Sequence, residues 1–449
     1  MMNMLNKRGA KLPLTLAAAL ACAGPAQAIS LQQAYAAALK NEPVYRANFY
    51  ESEAGKENRI IGRSALLPSL QANYTANRNR AETTMDTGPT TPDRIDNPRY
   101  ISRSALIQLR QPLFNLEAWA RYRASVASSN EAAAKFEFNT DEVAIRVVGA
   151  YVDALYANDQ LSLVKAQRAT FTEQMKVNNR MFEKGEGTKT DMLEVQARLD
   201  LIEAQVLEAE DNLRNTRQTL ESITGVEIGT LDTLAPGFSF GKEPPAPFET
   251  WRALALQNNS DLKAARFAVE ASKHDILRAR AGHVPRVDLL ASYGRNTAET
   301  INTLNQDTLN RSLGVQVNIP LYQGGYVNAV SRQSVANHER AKATLAAKTN
   351  LVLLELRKAH NQTLSSVAKV AALVKATESG AMLARATEQS IKGGVRINLD
   401  LLNAQQQLIS SQRDLAQSRY TYLLGTLRLR AAAGTLTGED VRAVSAYFR

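Results

Sequence analysis

The sequence predicts an α+β protein made of two copies of one half, each copy a pair of strands followed by a long helical hairpin. Three observations lead there: an internal duplication, two proline-free runs, and four segments of period-two hydrophobicity. The duplication is carried by matched landmarks. Leu67-Pro68 answers Val284-Pro285, and Gln111-Pro112-Leu113-Phe114 answers Ile319-Pro320-Leu321-Tyr322. Asp191-Met192-Leu193-Glu194-Val195-Gln196 answers Asp400-Leu401-Leu402-Asn403-Ala404-Gln405. The offsets are 217, 208 and 209 residues, so the copies differ only by short insertions. A unit of about 200 residues is too long for a solenoid repeat. The chain therefore divides into a first repeat, 29–224, a linker, 225–250, a second repeat, 251–434, and a C-terminal tail, 435–449.

Residues 1–28 have the form of a secretory signal peptide. Lys7, Arg8 and Lys11 precede the apolar run 12–23, and Ala26-Gln27-Ala28 is a small-x-small cleavage site. Ala19-Leu20-Ala21 is a poor lipobox ahead of Cys22, which favours ordinary cleavage over lipidation. Cys22 is the one cysteine and leaves with this segment, so the exported chain is expected to carry no disulfide or thiol chemistry. Losing three basic residues and no acids lowers the formal charge from +10 to +7. No Lys/Arg block stands out and aromatics are sparse, so a nucleic-acid partner is not expected. No later segment reaches about 18 consecutive apolar residues, the length of a membrane-spanning helix.

All 14 prolines lie at or before position 320, with none in 113–235 or 321–449. Proline breaks helix interiors, and these runs are rich in Ala, Leu, Gln, Glu, Arg and Lys, the good helix formers. Within each run the strong break is a glycine turn, Lys184-Gly185-Glu186-Gly187-Thr188 and Lys392-Gly393-Gly394-Val395-Arg396. Glycine past a helix end is a stop signal, and Thr190 or Asn398 can cap the helix that follows. Helices are thus expected over about 116–183 and 190–224, and over about 325–391 and 398–433. At 1.5 Å per residue the longer arms reach about 100 Å. The shorter arms carry a 4-3-4-3 spacing, Val195, Leu199, Ile202, Val206, Ala209, Leu213, Thr216, Leu220 and Ile223, answered by Ala404 through Ala432. That is the seam of coiled-coil packing, which an ordinary soluble helical bundle would also show.

Between the prolines the period changes to two. Leu70, Ala72, Tyr74 and Ala76 alternate with polar residues, as do Ala105, Ile107 and Leu109, then Val287, Leu289, Ala291 and Tyr293, then Leu313, Val315, Val317 and Ile319. Strand pairs follow at about 69–80 with 101–111 and 286–297 with 310–319. Lengths near ten suit tilted membrane strands, and Tyr74, Tyr100 and Tyr293 suit interfacial belts. Two hairpins of a soluble sheet have the same pattern. If the strands are membranous, four of them cannot close a barrel, and an open edge is not tolerated in lipid. The chain must then oligomerise.

Enzyme chemistry finds no motif. His274, His283, His338 and His360 form no tight metal pattern, and Gly185-Glu186-Gly187 lacks a phosphate loop's spacing. Neither a cofactor nor a metal is expected.

The duplicated plan, Pro112-Leu113-Phe114, Pro320-Leu321-Tyr322-Gln323-Gly324-Gly325, and the Gly-x5-Asp-x4-Gln pattern after both turns resemble the TolC family. So do Arg419-Tyr420-Thr421-Tyr422-Leu423-Leu424 and Ala433-Gly434-Thr435-Leu436. The second half is most similar to the type I secretion branch, with multidrug efflux channels nearby. The resemblance implies a homotrimer: a twelve-stranded outer-membrane β-barrel, four strands per chain, continuous with a long periplasmic α-helical barrel. It implies an outer-membrane exit duct in contact with outer-membrane lipid, working with a periplasmic membrane-fusion adaptor and an inner-membrane ABC transporter, or alternatively an RND pump. It places the periplasmic gate at Asp191, which Arg396 would bond, and at Asp400, which would form an acidic ring. The next ring position, usually acidic in the family, is Asn403 here, so one acidic ring would remain. It also makes the turns, Gly185, Gly187 and Thr188 with Gly393, Gly394 and Val395, the docking tips for the adaptor. Read without the resemblance, these charges are solvated helix-end residues that favour the macrodipole, and the glycines are simple caps. A periplasmic coiled-coil scaffold without a pore is the reading of a different class.

Overall fold

The computed structural model describes residues 29–86, 88–89, 92–185, 187–235, 238, 246–298, 305–393 and 395–448. The expected signal peptide and Gly394 lie outside them. The first repeat runs α1 (Leu31–Asn41), α2 (Pro43–Ser64), β1 (Ser69–Arg80), β2 (Thr83–Met85), β3 (Arg94–Asp96), β4 (Arg99–Phe114), α3 (Leu116–Glu183) and α4 (Lys189–Thr224). The second runs α5 (Phe248–Asn258), α6 (Ser260–Arg280), β5 (Arg286–Ala298), β6 (Gln306–Asn318), α7 (Tyr326–Lys392) and α8 (Asn398–Ala432), and α9 (Gly438–Ser445) follows.

Each proline-free run folds as two long helices, and α3 and α7 have 68 and 67 residues. α3 starts where the Asn115 side chain accepts from the Ala118 amide. The seam of α4 turns inward, with Val195, Ile202, Val206, Leu213 and Leu220 all buried. The answering seam of α8 is built of small and apolar residues, with Ala404, Ser411, Leu415, Ser418 and Leu429 buried.

The sequence pattern showed no helix before either strand pair, yet α1 and α2 precede the first and α5 and α6 the second. They splice a second rod onto each long helix. α2 packs on the start of α3 and α4 on its end, while α6 and α8 do the same along α7. The splice points repeat as well. Asn41 Nδ2 donates to Thr224 O at 2.9 Å, and Asn259 Nδ2 donates to Ala432 O at 3.0 Å, each satisfying a carbonyl orphaned at the end of α4 or α8. The α2–α3 contact begins with Tyr45 and Phe49 against Phe136 and continues through small residues. Ser52, Gly55 and Gly62 are buried, and a Cβ on Gly62 would stand 2.5 Å from the Ser125 Cβ, while one on Gly55 would overlap the Ala132 methyl.

The sheet has the order β1-β4-β5-β6, antiparallel throughout. Register puts Leu70 opposite Leu109, Ile107 opposite Tyr293, and Ala291 opposite Leu313, all on one face. That face is exposed: Leu70 and Tyr74 are each 69% accessible and Leu313 75%. The other face is polar and internally bonded. Ser104 Oγ donates to Asn296 Oδ1 at 2.6 Å, the Ser292 and Ser312 hydroxyls lie 2.6 Å apart, and Arg110 Nη2 meets the buried Asp288 carboxylate at 2.6 Å. Apolar outside and polar inside is the arrangement of a barrel in lipid, not of a soluble sheet. Tyr100 falls on the polar face opposite Asn79, so it cannot join an outer aromatic belt as expected. Pairing also runs beyond the apolar alternation, as β6 begins at Gln306 opposite Ala298. Backbone hydrogen bonds carry the strand where side-chain period no longer marks it. Among the described residues β1 and β6 each keep one free edge.

The largest core lies midway along the helices. Leu31, Ala34 and Ala38 of α1 meet Val147, Tyr151 and Leu155 of α3, Leu220 of α4, Leu423 and Leu427 of α8, and Val441 and Val444 of α9. The Tyr151 hydroxyl donates to Ile29 O at 3.0 Å, and Leu234 bridges Phe448, so the linker and the tail wrap this waist. Beside it, burial and the neighbouring Glu137 and Glu142 carboxylates push the Asp141 carboxyl up to about 7, with Lys263 opposing.

Gly55→Leu is expected to pry α2 from α3 at a cost of roughly 1–3 kcal/mol, the usual penalty of overpacking, read as a lower midpoint of thermal unfolding. Asp141 binds its proton more tightly folded than unfolded, so its contribution to stability is full near pH 4 and falls as pH rises through about 7. Asp141→Asn should therefore unfold later than wild type at pH 8, with the gap closing by about pH 4.

Candidate functional site

The two helical hairpins turn at matching tips. At the first, the Gly185 amide donates to Phe182 O at 3.0 Å and the Gly187 amide to Met181 O at 3.1 Å, tying off the end of α3. Gly185 takes φ +75°, a left-handed conformation that a side chain would strain. The helix after the turn is capped by Thr188 rather than Thr190. Thr188 Oγ1 accepts from the Asp191 amide at 3.1 Å, and Asp191 Oδ2 accepts from the Thr188 amide at 3.2 Å and hydroxyl at 2.6 Å. This is a capping box. Asn178, buried on α3, donates to Asp191 O at 3.2 Å and locks the tip to the opposite arm.

The second tip is looser. The Gly393 amide donates to Gln389 O at 3.1 Å and the Val395 amide to Ser390 O at 2.9 Å. Ile397 occupies the cap position of α8 with no side-chain bond, and Asn398 is the first helical residue. Val395 is 82% and Ile397 63% accessible, so two apolar side chains stand in water at this end of the molecule.

The four residues expected at a gate all lie in or just beyond these tips, but they pair in ways the sequence did not indicate. Arg396 Nη1, in the turn, stands 3.9 Å from Asp400 Oδ2 in the first turn of α8, both about half accessible. Among the described residues the Asp191 carboxylate is occupied by Thr188, so a single chain does not bring Arg396 to Asp191. Asn403 Oδ1 accepts from Arg198 Nη2 at 3.3 Å, linking α8 to α4, and Arg198 also lies 3.7 Å from Glu194.

One turn further from the tips the packing tightens. Gln167 of α3, 4% accessible, donates from Nε2 to Gln406 Oε1 of α8 at 2.7 Å. Leu402 of α8 completes an apolar cluster with Phe171 of α3 and Val195, Ile202 and Val206 of α4. Higher still, the Tyr420 hydroxyl donates to Asp159 Oδ2 at 2.7 Å, and burial pushes the Asp159 carboxyl up despite that bond. Arg198, Gln167 and Gln406 were not singled out from sequence, because their partners are over 200 residues away. Among the described residues no group of three or more His, Cys, Asp or Glu could hold a metal. What the tips offer is a set of polar links, each confined to the end of a helix, above a dry seam that holds the arms together.

Comparison with known proteins agrees with this architecture. The family model described as outer membrane efflux protein matches residues 34–226 and 251–435, one match per repeat. The chain is 39% identical over 423 residues to the alkaline protease secretion protein AprF of Pseudomonas aeruginosa, covering 94% of this chain and 88% of that one. It is 36% identical over 434 residues to the proteases secretion protein PrtF of Dickeya chrysanthemi, covering 95% and 92%. The solved CmeC outer-membrane channel of Campylobacter jejuni superposes with a TM-score of 0.77 at 16% identity, over 100% of this chain and 98% of that one. The fold is thus a β-barrel in the outer membrane continuous with a helical barrel, in which the four strands of one chain are a third of a twelve-stranded wall. By the match to both repeats and by its full-length relatives, the chain belongs to the outer membrane efflux protein family.

Proposed function

We propose that the protein is the passive outer-membrane exit duct of a type I protein secretion system, working as a homotrimer. The observation that carries this reading is the near full-length similarity to two proteins named for protease secretion, AprF and PrtF. The geometry supports a duct in its own right. The sheet presents an apolar face outward and a hydrogen-bonded polar face inward, and its two free edges call for neighbours of the same kind. Three chains pairing β6 to β1 close the wall. The helical arms, about 100 Å long, would then carry the passage across the periplasm.

The partners would be a periplasmic membrane-fusion adaptor and an inner-membrane ABC transporter, which supply the energy. The tips suit docking because Gly185, Gly187 and Thr188 make one compact turn and Gly393 and Val395 tie off the other helix end, with Val395 and Ile397 offering apolar contact; Gly394, expected to join them, lies outside the described residues. Closure would rest on Asp191, Arg396 and Asp400. Exposed links of this kind are worth about 0.2–1 kcal/mol each. Repeated by symmetry, they bias a two-state opening that adaptor contacts can reverse. For Arg396 to reach Asp191, that carboxylate must share or leave its bond with Thr188, which keeps the closed state shallow.

In a deletion strain, loss of one or a few proteins from the culture supernatant with drug tolerance intact is the expected result. Hypersensitivity to several unrelated drugs with an intact secretome would instead mean a drug-efflux duct. In planar bilayers Arg396→Ala should raise single-channel conductance, and an unchanged value would remove Arg396 from the gate. Asn403→Asp adds three carboxylates to the trimer's mouth, so block by divalent cations from the tip side should tighten several-fold.

A further inference from the structure

The outward face of the sheet is not apolar along its whole length. Above Leu70, Ala72, Tyr74 and Ala76, strand β1 continues on the same face with Arg78 and Arg80. Register places Arg103 of β4 opposite Ala76, Arg99 opposite Arg80, Arg295 of β5 opposite Ala105, and Arg311 of β6 opposite Tyr293. All six arginines are exposed. The guanidinium of Arg311 lies 5.6 Å from the ring centre of Tyr293, which confirms that the two share the outward side.

Their placement is ordered. From Arg78 to Arg103, Arg295 and Arg311 the position steps two residues per strand across the register. The strands are staggered in the same sense: β1 starts at Ser69, opposite Arg110, while β5 and β6 run on to Arg286 and Asn318. In a tilted wall such a diagonal keeps roughly one height, and a step of two is the smallest that stays on one face. Along β1 the apolar stretch below Arg78 is about 27 Å at ~3.4 Å per residue, or roughly 20 Å of height at a tilt near 40°. That is close to the ~25 Å apolar band of such barrels. The diagonal thus borders the apolar band on the side of the β1–β4 loop, away from the helices.

Five of the six charges have no acid on this face to balance them. Arg295 is paired with Asp307, its Nε 2.9 Å from Oδ1. Among the described residues Arg78, Arg80, Arg99, Arg103 and Arg311 have no acidic partner, and Asp307 is the one acid on this face of the four strands. Arg80 and Arg99 stand directly across the ladder from each other, where like charges repel. Arginine forks suit phosphate oxygens, and five unpaired forks at a headgroup border call for anions from outside the chain.

We propose that this diagonal of arginines is a binding belt for the phosphate groups of anionic glycolipids in the outer leaflet. The inference rests on the outer-membrane barrel reading and adds a lipid ligand to it. The belt would continue around three chains and anchor the barrel's height against phosphorylated headgroups, with Tyr293 holding Arg311 in place.

The test uses the purified full-length trimer in nanodiscs of phosphatidylcholine alone, with diphosphorylated lipid A, or with dephosphorylated lipid A. Wild type should retain the diphosphorylated lipid several-fold over phosphatidylcholine and dissociate at a higher temperature in its presence. Both effects should fall at least by half in Arg78→Gln/Arg103→Gln/Arg311→Gln, and millimolar inorganic phosphate should reproduce neither. Equal retention by wild type and variant, or equal retention of the dephosphorylated lipid, would overturn the belt, as would stabilisation by phosphate alone. Should the variant not trimerise, the wild-type preference between the two forms of lipid A decides by itself. Bilayer conductance of the same preparation separates the two readings: conductance without lipid preference rejects the belt only, and no conductance rejects the duct beneath it.

Discussion

The wall of this molecule rests on one constraint: in lipid, every backbone N–H and C=O must find its partner within the protein. The chain supplies four strands whose inner neighbours are fully paired, and whose outer edges, on β1 and β6, are not. Those edges cannot stay open in a bilayer, so the barrel exists only when chains join. The duplication serves this closure. Each repeat adds one strand pair and one helical hairpin, so wall and tunnel grow together and match in circumference.

The helical part answers a different problem, that of length. A rod of nearly 70 residues needs a partner along its whole face, and no single second helix provides it. The chain splices two, α2 with α4 and α6 with α8, and seals each joint with an asparagine to an orphaned carbonyl. The joints coincide with the waist, where α1, α9, the linker and the tail pack around Tyr151 and Leu155. Stability is concentrated there. Burial weakens toward the tips, where exposed pairs such as Arg396 with Asp400 replace core contacts. Such a gradient puts the thinnest packing at the tips and the densest at the waist.

The tips also show why a motif does not specify its own partner. Thr188 and Asp191 obey the local logic of a capping box, and that bond is made within one turn. Any longer-range link to Asp191 has to compete with it. Asn403, by contrast, takes a long-range partner among the described residues, Arg198 on α4. A neutral amide there keeps a tie between the arms where a carboxylate would add charge to the mouth.

The sequence by itself determined the two-fold repetition, the long helices and the faces of the strands. These are local properties: the absence of proline, helix propensity, and alternation in steps of two or of three and four act on neighbours along the chain. Two things were decided only by tertiary structure. The first is the set of helices α1, α2, α5 and α6. Beside single leucines, Leu31 of α1 and Leu262 of α6, they bury mostly alanine, serine and glycine, as at Ala38, Ser52, Gly55, Gly62, Ala255, Ala264, Ala265 and Ala271, so no strong hydrophobic stripe announces them. Their contact faces are small because backbones approach closely, and close approach depends on another helix. The second is the pairing at the candidate site. Gln167 with Gln406 and Arg198 with Asn403 depend on how α8 lies against α3 and α4, where Leu402 packs on Phe171, Val195 and Ile202, about 200 residues away in sequence.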